Sequence, residues 1–231
     1  MQRYIKSTKV IILYYLGILM DEPIESAIHD DSHLKVARLQ DTVIQIIYES
    51  VNAALHGGTA IWRCYNGKRF SEDIDIYFKK EADVKKLVNR IALSDLHITL
   101  NRERRGTIYY DIANNEANLS LQIKAIKKKS ISVLYEKVNG TKTEIYSLTP
   151  EALIEEKIAA YTDRKLIRDL YDIMILTKSV TDKNKTINVL DSFLSKVEKP
   201  KDSSVLKNLI YTGIVPSFED ILEYLKRWCK T

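Results

Sequence analysis

The chain has 231 residues, of which 45% are hydrophobic and 29% are charged, and its net charge is +5. This composition is that of a folded globular protein, so it excludes a largely disordered chain. The longest apolar run, residues 11–20, has about half the length that crosses a bilayer, which argues against a membrane protein. The two cysteines, Cys64 and Cys229, lie far apart in the sequence and form no CxxC pair, which fits a reducing cytoplasm better than a disulfide scaffold.

The N-terminal part of the chain is predicted to be helical. Residues 1–20 form an apolar helix in this prediction, and the acidic residues 21–33 form a connector in which Pro23 breaks the helix. Residues 1–33 therefore make an N-terminal helical extension. From Leu34 to Val51 apolar residues recur at helical spacing, which predicts a second helix.

The middle of the chain changes from helices to strands. After two adjacent glycines we predict a short helix that ends near Asn66 and Gly67, with Gly67 in the left-handed terminal conformation. A strand, a helix and several further strands follow, including a hairpin that reverses at Asn139-Gly140. The ranges are 73–78 for the strand, 81–93 for the helix, and 98–104, 107–113, 119–126 and 133–148 for the later strands and hairpin.

Everything after Pro150 has helical periodicity. The element order predicts an α+β fold in which a core of residues 34–148 is followed by a helical C-terminal domain, residues 149–231. The lysine-rich run 124–129 (KAIKKK) is compatible with a polyanionic partner such as RNA, although most such runs are solvated faces.

The adjacent glycines Gly57 and Gly58 stand directly before a predicted helix. Glycine lets the backbone approach an anion closely, and the start of a helix offers unpaired N–H donors. Thr59 is predicted to cap this helix. A glycine pair before a helix is by itself more often a turn, and His56 is predicted to pack in the core because no second ligand lies at metal spacing around it.

Two aspartates that follow the glycines in the sequence indicate a binding site. On a strand, Asp73 and Asp75 project from the same face, while Ile74 and Ile76 anchor the strand in the core. Two like charges on one face repel unless a cation lies between them, and hard oxygen ligands suit Mg²⁺ or Mn²⁺. The alternative is a solvated edge strand. Together with the glycine loop, the pair predicts a metal and nucleoside triphosphate site.

A second cluster of charges lies in the predicted helices after residue 150. Lys157 is at the centre of an apolar stripe, and Arg164 falls on the same side of the helix. The lysine either extends past its neighbours to solvent or points into a cleft and pairs with phosphate. In the next helix Asp169 and Asp172 are neighbours, and Arg168 is spaced to pair with Asp172, so a structural salt bridge and a catalytic role are both open.

These stretches resemble a known family. "LHGGTAIWR" followed by "RFSEDIDI" is similar to the GG(S/T) and DxD signature of the nucleotidyltransferase superfamily, and specifically of its AbiEii/AbiGii-type toxins. "LIEEKIAAYTDRKLIRDLYDIMIL" is similar to that family's lysine-bearing helix and RDxxD helix. The resemblance covers roughly residues 50–178 and implies a mixed sheet flanked by helices.

The resemblance also implies an activity and its residues. A Mg²⁺-dependent enzyme would transfer a nucleoside monophosphate from a nucleoside triphosphate to an acceptor hydroxyl, with RNA, a tRNA in particular, as the acceptor and an antitoxin as a partner. It implies Asp73 and Asp75 as metal ligands and Lys157 and Asp169 as further catalytic residues. The implied nucleotide contacts are Gly57, Gly58, Thr59, Arg69, Ser71, Lys157 and Arg168.

One position departs from the superfamily pattern. Many members supply a third carboxylate from a later strand, where this chain has Gln122. Alternation with Leu119 and Leu121 places Gln122 on the site face, and Asp111 on a neighbouring strand is a candidate substitute. The departure keeps a second hypothesis open, in which a catalytically silent nucleotidyltransferase fold serves as a nucleotide-sensing or RNA- or protein-binding module.

Overall fold

The computed structural model describes residues 22–78 and 80–230. The predicted helix over residues 1–20 lies outside the described residues. The described elements follow the predicted order, with two additions that the sequence did not predict, a short helix at Ile24–Ala27 and a strand at Ala53–His56. They are α1 (Ile24–Ala27), α2 (Asp31–Ser50), β1 (Ala53–His56), α3 (Gly57–Cys64), β2 (Ile74–Phe78), α4 (Glu81–Ala92), β3 (His97–Arg104), β4 (Thr107–Ala113), β5 (Asn118–Ala125), β6 (Ser130–Glu136), β7 (Lys142–Leu148), α5 (Pro150–Arg164), α6 (Ile167–Leu176), a 3₁₀ turn (Thr177–Ser179), α7 (Lys183–Leu194), α8 (Leu206–Leu209) and α9 (Phe218–Lys230).

The strands form one sheet in the order β3-β4-β5-β2-β1-β7-β6. The pairs β2/β5 and β1/β7 are parallel, and the other four pairs are antiparallel. This confirms an α+β fold with a mixed sheet flanked by helices. The parallel pair β2/β5 has a functional consequence, because it places residues that are far apart in sequence side by side on one face.

Strand β2 lies at the centre of the sheet and alternates as predicted. Ile74, Ile76 and Phe78 are fully buried, while Asp75 and Tyr77 are partly exposed on the other face. Strands that are buried on one face and polar on the other have a strongly specified register, since a slip of one residue would bury the charges. The apolar side of β2 thereby fixes the direction in which the aspartates point.

Helix α2 begins earlier than predicted. Asp30 caps it by accepting hydrogen bonds from the backbone N–H groups of Ser32 and His33, so the segment predicted as a connector already contains α1 and the first turn of α2. The polar residues of this stretch serve as a cap and a first helical turn.

The end of α3 also differs from the prediction. Asn66, and not Gly67, adopts the left-handed conformation, with φ +58°. Asparagine tolerates this region because its short polar side chain can bond locally. Gly67 is needed for another reason, since a Cβ there would lie 3.0 Å from the carbonyl oxygen of Ile61.

The C-terminal helices share the main core with the sheet. One buried cluster extends from Ile74 in β2 through Leu153 in α5 and Ile173 in α6 to Leu225 in α9. Helix α6 is buried on nearly all sides, as its composition predicts. The division into a core ending at residue 148 and a separate helical domain stays a prediction. Among the described residues, no helix is both long and apolar enough to cross a membrane.

Candidate active site

A cleft of about 350 Å³ opens where β2, the start of α3 and the helices α5 and α6 meet. Its wall includes both predicted clusters, since Gly57, Gly58, Asp73 and Asp75 line it from one side and Lys157 from the other. The structure therefore brings together two motifs that lie about 80 to 100 residues apart in the sequence.

The two glycines form the start of α3 because no other residue fits there. Gly57 has φ +72°, and a Cβ on it would lie 2.0 Å from Oδ2 of Asp75. A Cβ on Gly58 would lie 2.4 Å from Oγ of Ser71. The backbone therefore packs directly against the carboxylate of Asp75, and the first N–H groups of α3, which have no partner within the helix, lie at the cleft.

Thr59 has a different role from the predicted cap. Its side chain is fully buried, and its hydroxyl donates a hydrogen bond to the backbone carbonyl of Asp73 at 2.5 Å. Gln40 holds the same segment by donating to the carbonyl oxygens of Ser71 and Glu72 at 2.7 and 2.9 Å. These bonds fix the backbone immediately before β2, and with it the position of the two aspartates.

Asp73 and Asp75 both line the cleft, which confirms that they share a face. Within the described part of the chain, neither carboxylate has an ion-pair or hydrogen-bond partner. Burial, followed by the charges of Asp75 and Glu72, raises the pKa of Asp73 to about 6. A carboxylate whose ionisation is opposed by burial and by a neighbouring carboxylate fits a bound cation.

No group of three or more His, Cys, Asp or Glu side chains among residues 22–78 and 80–230 is arranged to hold a metal ion. A metal here would depend on the two aspartates and on other oxygen atoms. Gln122 offers one such side-chain oxygen, since it lies directly opposite Asp75 in the parallel register and also lines the cleft.

The opposite wall is a buried chain of ion pairs. Asp172 accepts two hydrogen bonds of 2.6 Å from Arg69 and lies 2.6 Å from Nζ of Lys157. The same Nζ is 3.5 Å from Asp169, which accepts bonds of 2.7 and 2.8 Å from Arg164. Burial opposes the ionisation of Asp172, but the charges of Arg69 and Lys157 outweigh it and lower the pKa of that carboxyl.

Lys157 therefore follows neither of the two routes that the sequence left open. It neither extends to solvent nor stands free in the cleft, because its ammonium group is held between two fully buried carboxylates. Asp169 lies behind this wall and does not line the cleft. Arg69 lines the cleft, but its guanidinium group is committed to Asp172.

Arg168 is placed differently from the other cations. The predicted pair between Arg168 and Asp172 does not form, since Arg69 and Lys157 occupy that carboxylate. Arg168 lines the cleft and has no ion-pair partner among the described residues. Arg164 also lines it and keeps 39% of its side chain exposed. These two arginines are the cations of the wall that are accessible to a ligand.

Asp111 is not positioned as a third carboxylate. Strand β5 separates its strand from β2, it does not line the cleft, and its carboxylate accepts hydrogen bonds of 2.9 and 3.1 Å from Asn101. The prediction that Gln122 faces the cleft is confirmed, since it pairs directly with Asp75. The structure provides no carboxylate from β5 in its place.

A further acidic residue at the cleft was missed in the sequence. Glu156 accepts hydrogen bonds from Nδ1 of His56 at 3.1 Å and from the hydroxyl of Tyr77 at 2.8 Å, and Lys128 lies 3.2 Å away. Burial opposes its ionisation, but these partners outweigh burial and lower the pKa of Glu156 to about 2. His56 was predicted to pack in the core, and it instead lines the cleft and stacks on Tyr77.

Comparisons with known proteins agree with this picture. A family model described as "Nucleotidyl transferase AbiEii toxin, Type IV TA system" matches residues 48–223. The fold is similar to that of JHP933 from Helicobacter pylori, with a TM-score of 0.60, 19% identity, and coverage of 87% of this chain and 91% of that one. A search of curated proteins found no match.

Two other solved structures have the same fold. The nucleotidyltransferase toxin MenT4 from Mycobacterium tuberculosis matches with a TM-score of 0.61 and 14% identity, over 86% of this chain and 82% of that one. A putative nucleotidyltransferase from H. pylori matches with a TM-score of 0.58 and 19% identity, over 87% of this chain and 94% of that one. At these identities the similarity establishes the fold alone, and the family match covers the part of the chain that contains both motifs.

Proposed function

The chain belongs to the AbiEii family of nucleotidyltransferase toxins of type IV toxin–antitoxin systems, and we propose that it transfers a nucleoside monophosphate from a nucleoside triphosphate to a hydroxyl group of RNA. The reaction releases pyrophosphate. A tRNA is the acceptor, the cytoplasm is the compartment, and an antitoxin is the cognate partner. The net charge of +5 supports a polyanionic acceptor.

Asp73 and Asp75 hold a divalent ion, Mg²⁺ or Mn²⁺, in this proposal, with Gln122 able to contribute an amide oxygen. The observation that carries the proposal is this pair of partnerless aspartates against the glycine start of α3. A divalent ion, when bound, stabilises the charge on the attacking and leaving oxygens. Thr59 keeps the backbone of Asp73 in place.

The triphosphate binds across the start of α3. The backbone N–H groups of Gly57 and Gly58 bind its phosphate oxygens, since no side chain stands between them and the cleft. The hydroxyl of Ser71, beside Gly58, is close enough to contribute. Arg164 and Arg168 offer positive charge from the opposite wall, where charge develops in the transition state.

The residues of the buried ion pairs support the site and do not contact the substrate directly. Asp169 orients Arg164, and Lys157 neutralises the two carboxylates that would otherwise repel the triphosphate. Arg69 also neutralises the charge of Asp172. We therefore assign Lys157, Arg69 and Asp169 a positioning role, in contrast to the direct phosphate contact and catalytic function that the family resemblance implies.

Label transfer from α-³²P nucleotides to total RNA tests the proposal. The wild type should label RNA in the presence of Mg²⁺ and lose this activity in EDTA. Asp75→Asn should reduce transfer at least about 100-fold, because it removes a metal ligand and keeps the shape of the side chain. Asp111→Asn is the matched control and should transfer normally, since Asp111 lies outside the cleft.

The second candidate function rests on Gln122. Its amide faces Asp75 where a third carboxylate would stand, which favours a fold that binds a nucleotide without transferring it. In that case the wild type would bind a nucleoside triphosphate with Mg²⁺ and label no acceptor under any condition. Transfer by the wild type together with its loss in Asp75→Asn would reject this candidate.

A further inference from the structure

A row of paired residues leads from the cleft across the sheet to its edge. Asp75 in β2 pairs with Gln122 in β5, Gln122 pairs with Tyr109 in β4, and Tyr109 pairs with Arg102 in β3. Directly paired residues of neighbouring strands project from the same face. Tyr109 therefore lies two strand spacings, about 10 Å, from Asp75 on the cleft side of the sheet.

A second row runs parallel to the first. Tyr77 pairs with Lys124, Lys124 pairs with Thr107, and Thr107 pairs with Arg104. Beyond it, Lys128 stands with its ammonium nitrogen 5.6 Å from the centre of the Tyr77 ring. We name the surface formed by Arg102, Arg104, Tyr109 and Lys124 the basic face.

The basic face is accessible, whereas the other face of β5 and of the adjoining end of β4 is covered. Arg102 and Arg104 are exposed, and Tyr109 and Lys124 are partly exposed. On the other face Ile112, Leu119, Leu121 and Ile123 are buried, where α2 and α4 pack. Polar and charged side chains beside an active cleft, on a sheet whose other face forms the core, make a surface for a partner.

The chemistry of the basic face suits a nucleic acid. The guanidinium carbon of Arg102 lies 4.5 Å from the centre of the Tyr109 ring, which combines an aromatic surface with a cation. This face of β3–β5 carries three cations and one carboxylate, that of Asp111. The Asp111 carboxylate accepts its hydrogen bonds from Asn101. Aromatic rings flanked by cations on a sheet bind unpaired bases by stacking and the backbone by charge.

We propose that the single-stranded end of the acceptor RNA binds across the basic face, with a base stacked on Tyr109 and phosphates on Arg102, Arg104 and Lys124. This inference rests on the proposed function and adds to it the path by which the acceptor reaches the cleft. The row of paired residues leads to Asp75 in the cleft, so an RNA strand that follows it delivers its terminal hydroxyl to the aspartates. A duplex fits less well, because its bases are stacked on each other and offer no free surface to Tyr109.

Fluorescence anisotropy of the full chain with a fluorescein-labelled single-stranded RNA 12-mer tests the inference without any need for transfer. The triple variant Arg102→Ala/Arg104→Ala/Lys124→Ala should weaken binding at least 10-fold. It should also reduce the slope of log Kd against log salt by about 2, which is about 0.7 for each lost phosphate contact. Tyr109→Ala should weaken binding about 5-fold or more through lost stacking.

Matched controls remove the same groups elsewhere. Lys85→Ala/Lys86→Ala/Arg90→Ala deletes three exposed cations from α4, on the covered side of the sheet, and Tyr146→Ala deletes an exposed tyrosine from β7. Both should bind the 12-mer within 2-fold of the wild type. An equal loss in the two triple variants would overturn the inference, because binding would then depend on net charge alone.

Other outcomes separate this inference from the proposed function. The face variants should keep wild-type binding of nucleoside triphosphate with Mg²⁺ and lose labelling of RNA. If the wild type transfers nucleotides and the face variants bind and label RNA equally well, the acceptor path is wrong and the function stands. If the basic face binds RNA as predicted but neither the wild type nor any variant transfers a nucleotide, the inferred RNA-binding surface is supported and the proposed transfer activity is wrong. Equal affinity for an RNA duplex of the same sequence would overturn the proposal that the basic face binds single strands. Binding of a protein, without any binding of RNA, at the basic face would overturn it as well.

Discussion

Single carboxylates in and around the cleft differ chiefly in their partners. Asp172 and Asp169 are fully buried and bound by cations, so their charges are already compensated. Asp73 and Asp75 line the open cleft without such partners. Two neighbouring carboxylates without a cationic partner can receive a cation, which is why we propose the metal site at Asp73 and Asp75.

Glu156 gives a prediction about pH. Its folded-state pKa of about 2 lies below the value of about 4.5 expected when unfolded, so its ionised form stabilises the fold at and above pH 5. That contribution is lost progressively as the pH falls from 4.5 to 2. Glu156→Gln should therefore lower the free energy of unfolding by about 2 kcal/mol at pH 7. The difference from wild type should shrink by about 1 kcal/mol between pH 5 and pH 3.5.

Urea unfolding at pH 7, 5 and 3.5 measures this difference. Glu223→Gln serves as the control, since Glu223 is exposed on α9 and has no ion-pair or hydrogen-bond partner among the described residues. Its difference from wild type should stay near zero throughout. A destabilisation by Glu156→Gln that is the same at all three pH values would show that shape, and not charge, is what the side chain contributes.

The sequence predicts individual residues well where the pattern is local. Asp73 and Asp75 alternate with buried isoleucines, so their common face follows from strand geometry alone. The partner of Arg69 could not be predicted, because Asp172 lies 103 residues away and meets it only through the packing of α6. Glu156 was missed for the same reason, since its contacts with His56 and Tyr77 span 100 and 79 residues.

Helix α3 and strand β2 act together as the support of the proposed metal site. Gly57→Ala should abolish transfer, because a Cβ would collide with Oδ2 of Asp75 and because φ +72° strains an alanine. We expect a loss of at least about 100-fold in transfer and of more than about 1 kcal/mol in unfolding free energy. RNA labelling and urea unfolding measure the two effects.

Gly213→Ala is the matched control for this substitution. Gly213 also has a positive φ, of +90°, but no heavy atom lies within 4 Å of the position that a Cβ would take. It should cost about 1 kcal/mol of backbone strain and leave transfer unchanged. If Gly57→Ala transfers as well as Gly213→Ala, the close contact between the glycine and Asp75 has no functional importance.

The helix pair α5 and α6 depends on the lysine between its carboxylates. Lys157→Ala would leave Asp172 and Asp169 with less compensation in a buried site, so we expect a loss of about 3 to 5 kcal/mol in unfolding free energy. Lys35→Ala removes a partly exposed lysine from an i, i+4 pair with Asp31 and should leave the free energy of unfolding nearly unchanged, because water already screens that pair. Thermal unfolding distinguishes the two. Unchanged stability of Lys157→Ala would mean that the lysine is held for a ligand and not for the fold.

Periodicity predicts most helices and strands, but it does not predict the role of a side chain that bonds to another element. The sequence correctly places the hairpin turn at Asn139-Gly140 and the apolar helix that contains Asp169. It assigns Thr59 to a cap, because a threonine near a helix start usually caps, whereas here the hydroxyl bonds to the carbonyl of Asp73 across to β2. Lys157 on its apolar stripe signals an inward-facing charge, but its partners lie on another helix.

At the scale of the whole molecule, the cleft is built from two segments that lie far apart in the sequence. Its floor comes from β2 and α3 and its opposite wall from α5 and α6, and these elements belong to one continuous buried cluster. A ligand that bridges the two walls therefore binds to the folded state and not to either part alone. By mass action, such a ligand stabilises the whole described core.

This coupling gives the last prediction. A nucleoside triphosphate with Mg²⁺ at about 100 times its Kd should stabilise the protein by about 2.7 kcal/mol, which for a chain of this size raises the Tm by roughly 5 to 10 °C. Without Mg²⁺ the increase should nearly vanish, because the triphosphate would meet Asp73 and Asp75 as uncompensated negative charges. Asp75→Asn should lose the metal-dependent part, whereas Asp111→Asn should keep it. Differential scanning fluorimetry with and without EDTA measures all four cases. An equal increase in EDTA would mean that the nucleotide binds through the arginines of the opposite wall alone, and the aspartates would then have no part in holding it.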